Sequence, residues 1–150
     1  MTRNYSMNYL LDTCVLSEYV KKQPNTVVIN WLDQQREEHL LISILSIGEL
    51  KKGIIKLEQS QPVRSKRLWE WVERIEVRFE GRILKINQSV IDRWARLCGE
   101  LEAKGTKLSV MDSLIAATAL VYDLAVVTRN VNDFSATTVK IFNPWELKNQ

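Results

Sequence analysis

Apolar residues fall in short blocks along the chain, and their spacing switches between the period of a strand and that of a helix. Residues 8–11 (NYLL) read as a short strand ending at Asp12, and 40–44 (LLISI) is an apolar run of strand length. Residues 82–86 (RILKI) alternate like a strand, 125–128 (AVVT) read as a buried one, and 139–142 (VKIF) as a last short one. Helical spacing fills the intervals. Residues 13–21 suit a turn or two, and 26–35 follow a break at Pro24-Asn25. A helix capped by Ser46 runs to about residue 59, with Ile47, Leu50, Ile54 and Leu57 on one face. A second helix covers 63–78, and a strongly amphipathic one covers 88–104 through Val90, Trp94, Leu97 and Leu101 until Gly105 stops it. An Ala-rich, mostly buried helix covers 109–122. This alternation predicts one α/β domain, an α/β/α sandwich around a central, mostly parallel sheet of four to five strands. The domain is expected over 7–146, with 1–6 as an N-terminal extension before a start at Met7 and 147–150 as a tail.

Composition narrows the class. The 150 residues suit a single domain with a core that needs no staples, and 45% hydrophobic with 26% charged residues is a globular balance. No apolar run approaches the roughly 20 residues of a membrane helix, and residues 1–8 carry no secretory signal, so a cytoplasmic protein without membrane contact is expected. Cys14 and Cys98 have neither metal-ligand nor disulfide-framework spacing and read as inert reduced thiols. The single His39 excludes the usual zinc sites and argues against a Ser-His or Cys-His nucleophile pair, which leaves carboxylates for hydrolytic chemistry.

The net charge of +3 is unevenly spread. Residues 51–82 hold nine Lys and Arg against five Glu, whereas the rest of the chain is slightly acidic. A local excess of this kind suits an anionic partner.

The acids stand where elements meet. Asp12 follows a strand and precedes a helix, the place where open parallel sheets bind ligands. Glu49 lies near the start of the 46–59 helix, Asp112 lies in the first turn of the 109–122 helix, and Asn130, Asn132 and Asp133 follow the 125–128 strand. Each also has a structural reading. Asp12 can cap a helix, Ser46 with Glu49 and Ser109 with Asp112 fit capping boxes, and the 130–133 stretch suits a turn. Gathered at one sheet edge, three or four carboxylates would repel one another, and a hard divalent cation would relieve them.

The stretches Leu10-Leu11-Asp12-Thr13 with Leu16-Ser17-Glu18, Ser43 to Leu50 with Gly53-Ile54, Ser109 to Ala117, Val127 to Phe134, and Asn143-Pro144-Trp145 resemble the PIN-domain ribonucleases, close to the VapC and FitB-like toxins of bacterial toxin–antitoxin pairs. The resemblance runs from Met7 through nearly the whole chain, in order. It implies that Asp12 and Asp112 hold Mg²⁺ (or Mn²⁺), that Glu49 is the second acid of the set, and that Thr13 and Thr128 support the site. The fourth position, often Asp in the family, falls on Asn130, with Asp133 three residues on, so either residue is a candidate to complete the shell. Cys14 stands where the family often has Asn. The resemblance further implies a homodimer and a small antitoxin that inserts into the acidic groove.

A metal-dependent endoribonuclease that serves as a toxin is therefore the leading expectation, with Asp12, Glu49, Asp112, Asn130 and Asp133 as catalytic candidates. Lys51, Lys52, Lys56, Arg64, Lys66, Arg67 and Arg74 are the candidates to hold RNA, and an ordinary solvated face is the plain alternative for each. Trp69 and Trp71 cannot both face inward on one helix, and packing is the simpler role for both. Competing readings are a non-toxic RNA-processing nuclease of the same family, a degenerate module that binds RNA or protein, and a phospho-receiver using Asp12. The last is disfavoured because Asp112 lies on a helix.

Overall fold

The computed structural model describes residues 7–148. The expected extension over 1–6 and the last two residues of the expected tail lie outside them. Five parallel strands form the sheet: β1 (Tyr9–Leu11), β2 (Leu40–Ser43), β3 (Ile83–Leu84), β4 (Ala125–Val127) and β5 (Ile141–Phe142), in the order β3-β2-β1-β4-β5. Six helices accompany them: α1 (Thr13–Glu18), α2 (Thr26–Gln34), α3 (Ile44–Ile55), α4 (Pro62–Arg78), α5 (Gln88–Ala103) and α6 (Val110–Tyr122).

Strand alternation explains the layers. Leu11, Ile42 and Val127 point to one face of the sheet and pack with Val15, Leu16, Val28, Leu32, Ile47, Leu50, Val72 and Ile75 from α1 to α4. Leu10 and Val126 point to the other face and meet Leu97 of α5 and Ile115, Ala116 and Ala119 of α6. Two cores, one on each face, make the α/β/α sandwich expected from the sequence. The small side chains of α6 let it lie close to both α5 and the sheet.

Several boundaries differ from the sequence reading for local reasons. Ser46 does not cap α3. Ser43 does, its Oγ accepting the Leu45 N–H at 3.1 Å, and Ser46 is fully buried one turn inside the helix with an unpartnered hydroxyl. The regular helix ends at Ile55 and continues as turns rather than helix to about residue 60. The strands are shorter than their apolar runs, most of all β3, because only the residues in register with neighbours form ladder bonds. Gly105 ends α5 as expected. It takes a positive φ of 88°, while its N–H bonds the Glu102 carbonyl and the Thr106 N–H bonds that of Leu101, the geometry of a Schellman cap.

This strand order places the site. From β1 the chain passes to β2 and β3 on one side, while β4 and β5 lie on the other. The reversal falls between β1 and β4, and a crevice at the carboxyl ends of these strands is where such sheets bind ligands. Asp12 leaves β1 there, and Thr128 leaves β4 beside it. The Asp12 N–H bonds the Val127 carbonyl at 3.0 Å.

Candidate active site

Asp12 is buried at the head of the crevice, with both carboxylate oxygens engaged. Oδ1 accepts the Thr13 N–H at 2.9 Å and so caps α1. Oδ2 accepts the Thr128 hydroxyl at 2.8 Å, and Thr128 Oγ1 in turn accepts the Asn130 N–H at 3.0 Å. The capping reading and the site reading of Asp12 hold together, each through its own oxygen.

Glu49 projects from α3 and accepts the Thr13 hydroxyl at 3.0 Å, so Thr13 links the two acids across α1. Asp112 sits in the first turn of α6. Ser109 caps that helix by accepting the Asp112 N–H at 3.1 Å, and its hydroxyl donates to Asp112 Oδ2 at 2.8 Å. The second expected capping residue is thus real. Asn130 leads into a single 3-10 turn over Val131–Asp133, in accord with the turn reading of that stretch.

Electrostatics show that these elements face one another. Burial pushes the Asp12 carboxyl up, against the hydrogen bonds from Thr128 and Thr13, and the charges of Asp112 and Asp133 push it the same way. Glu49 is raised chiefly by its own burial, and also by Asp12 and Asp112, with Lys52 opposing. Asp12 therefore lies in the field of Asp112 and Asp133, and Glu49 in that of Asp12 and Asp112. Among the described residues, no group of three or more Asp, Glu, His or Cys side chains is placed to hold a metal ion. The donor set of Asp12, Glu49, Asp112 and Asp133 offers only hard oxygens, the ligand type that a small, largely hydrated divalent cation takes.

Cys14 stands beside Asp12, its sulfur 3.9 Å from Asp12 Oδ2 and 3.7 Å from Thr128 Oγ1. Burial, helped by the Asp12 charge, pushes its thiol up, so it stays neutral and can give Asp12 only a weak S–H contact. His39 is remote from this chemistry. It lies just before β2, with Nδ1 2.6 Å from Asn8 Oδ1.

The basic candidates are spread along α3, its continuation and α4. Lys51 is paired with Glu76 of α4 at 3.0 Å, a half-exposed contact between α3 and α4. Lys52 sits one turn beyond Glu49 and acts on that carboxyl. Lys56, Arg64, Lys66, Arg67 and Arg74 are exposed along the end of α3 and along α4. Of the two tryptophans of α4, Trp71 is buried, and Trp69 is half-buried with its Nε1–H donated to Glu58 at 3.1 Å. Trp94 bonds Ser113, and Trp31 packs with Tyr9 and Phe142, so both serve packing as expected.

The sequence reading gave Glu18 no role, yet it is buried at the end of α1. Burial would raise its carboxyl, but Lys21 at 2.9 Å and the Asn25 N–H at 2.7 Å hold it below the ordinary carboxylate range, and it fastens the turn after α1 to the start of α2. A buried Glu with Lys three residues on and an Asn cap seven residues on is the signal that marks it.

The model of the family described as "PIN domain" matches residues 9–140. The chain belongs to the PIN-domain family. Its PIN-domain relatives include the toxin FitB of Neisseria gonorrhoeae, 36% identical over 91% of this chain and 97% of that one. The VapC ribonuclease Y4jK of Sinorhizobium fredii is 31% identical over the same shares. Among solved structures, FitAcB from Neisseria gonorrhoeae superposes with a TM-score of 0.85 at 36% identity, covering 93% of this chain and 99% of that one. A toxin–antitoxin complex from Klebsiella pneumoniae matches with a TM-score of 0.63 at 25% identity, covering 93% and 100%. Within the family its relatives are thus VapC and FitB proteins, and Asp12, Glu49, Asp112, Asn130 and Asp133 all lie inside the matched span.

Proposed function

We propose that this PIN domain is a Mg²⁺-dependent endoribonuclease, the toxin of a toxin–antitoxin pair acting in the cytoplasm, where its two thiols stay reduced. The observation that carries the reading is the buried Asp12 in the common field of Asp112, Asp133 and Glu49 at the switch point of the sheet. A cluster of hard, mutually repelling oxygens suits the neutralisation of a phosphodiester, and relatives with the same fold are named ribonucleases. No helix of the described residues is long and apolar enough to cross a membrane.

In this proposal Asp12 and Asp112 hold the ion. Once bound, it supplies charge neutralisation at phosphorus and an acidified water. Glu49 orients the attacking water, and its raised carboxyl is suited to take a proton from it. Asp133 completes the acid set by its charge on Asp12, with the Asn130 amide beside it. Thr13 and Thr128 keep the carboxylates aimed. Exposed Lys52, Lys56, Arg64, Lys66 and Arg67 attract the RNA backbone.

Partner control follows from the same chemistry. An antitoxin Arg or Lys entering the crevice would pair with these carboxylates and displace both ion and substrate. The toxin is proposed to work as a homodimer and to be stored in complex with that antitoxin.

The test is cleavage of total RNA with mapped ends. The wild-type chain with Mg²⁺ is expected to cut, EDTA to abolish cutting, and Asp12→Asn to lower the rate by at least about 100-fold while its circular dichroism stays unchanged. Cleavage by Asp12→Asn at the wild-type rate contradicts the assignment.

A further inference from the structure

We propose that Arg129, which lies over the ring of Trp145, is a clamp for the RNA backbone beside the acidic site, an inference that rests on the ribonuclease reading above. Arg129 lies between two residues tied to the site. Thr128 before it donates to Asp12, and the Asn130 N–H after it bonds Thr128 Oγ1. Thr128 is buried and Arg129 exposed, so the chain leaving β4 turns one residue into the pocket and the next out at its edge.

The guanidinium is held in place. Its carbon lies 5.7 Å from the centre of the Trp145 ring. That ring is itself anchored, because Trp145 packs against the core formed with α1 to α4, Pro144 is buried, and Asn143 Oδ1 accepts the Trp145 N–H at 2.9 Å. An Arg resting on an aromatic face keeps the N–H groups in its plane free for the two oxygens of a phosphate. Among the described residues no carboxylate stands within ion-pair distance of Arg129. Glu18, close enough to feel its charge, is already paired with Lys21.

A site where Asp12 lies in the field of Asp112 and Asp133 needs such a group. The cation proposed there would neutralise the scissile phosphate, but the phosphates on either side would still meet a negative rim. Lys52 stands beyond Glu49 on the β2 side of β1, and Arg129 stands on the β4 side. The two cations thus follow strands on opposite sides of β1, the strand that leads to Asp12.

The experiment measures binding of a fluorescent single-stranded RNA to the Asp12→Asn chain without divalent ions, at several salt concentrations, before and after substitution of Arg129. Arg129→Ala is expected to weaken binding about tenfold and to lower the salt slope by about 0.7, the share of one phosphate contact on a single strand. Arg129→Lys is expected to recover the slope but not the full affinity, because it keeps the charge and loses the planar, forked donor set. Trp145→Phe, which keeps an aromatic face, is expected to weaken binding less than Arg129→Ala does. If the folded Arg129→Ala chain binds RNA with the parent's affinity and salt slope, the clamp is overturned and the ribonuclease reading stands. The clamp is equally overturned if Arg129→Ala or Arg129→Lys lowers only the melting temperature. If the parent chain, and wild type with Mg²⁺, neither bind nor cut RNA, the ribonuclease reading falls and the clamp with it.

Discussion

Asp12 is held at each of its oxygens, yet its carboxyl is still pushed up, because burial outweighs the donors from Thr128 and Thr13 and the neighbouring acids add to it. The sign of the consequence is fixed. A carboxyl raised in the folded state binds more protons folded than unfolded in the window between its two pKa values, so stability falls as pH rises through that window. For Asp12 the window opens near the ordinary value of 3.8 and closes at the raised one, and above it the penalty is complete. In metal-free buffer, Asp12→Asn is therefore expected to gain stability relative to wild type as pH rises from about 4 toward neutrality, then to hold that gain. Urea unfolding of both chains at a series of pH values measures the difference. A difference independent of pH would contradict the buried, repelled state assigned to Asp12. The candidacy of Asp12, Glu49 and Asp112 was legible from their places at strand ends and helix starts. The bonds from Thr13 and Thr128 that orient them span 36 and 116 residues and are visible only once the sheet is assembled.

At the scale of elements, apolar periodicity located all five strands and six helices, and misread mainly their ends. The start of α3 is the instructive case. Both Ser43 and Ser46 precede helical spacing, and the S-x-x-E pattern favours the second as cap. The choice goes to Ser43 because the chain turns from β2 directly into α3, which carries Ser46 inside the helix and leaves Glu49 free to meet Thr13. Opposite effects on stability follow. Ser43→Ala removes the bond to the Leu45 N–H and is expected to cost about 1 kcal/mol. Ser46→Ala removes a buried hydroxyl without a partner and is expected to leave stability unchanged or raise it slightly. Thermal melts of the two variants decide between them, and a loss on Ser46→Ala as large as that on Ser43→Ala would restore the capping box. Lys51, read from the sequence as an RNA candidate, also meets Glu76 where α3 packs on α4, a contact that the sequence does not display.

Across the whole molecule, one feature of topology organises the rest. The order β3-β2-β1-β4-β5 sets Asp12 and Thr128 side by side at the reversal, and the helices entering there bring Glu49 and Asp112 toward them. Alternating elements made the sandwich legible from the sequence. The convergence of the acids followed from the fold and not from their spacing, since 37 residues separate Asp12 from Glu49 and a further 63 separate Glu49 from Asp112. The most direct test of the central claim, that folding gathers these acids into a site for a divalent cation, is the thermal stability of the chain titrated with Mg²⁺ and with Mn²⁺. Wild type is expected to gain about 2.7 kcal/mol at a hundred times the dissociation constant, and Asp12→Asn to gain little over the same range. A wild-type chain indifferent to both ions, or an equal rise in Asp12→Asn, would contradict the account.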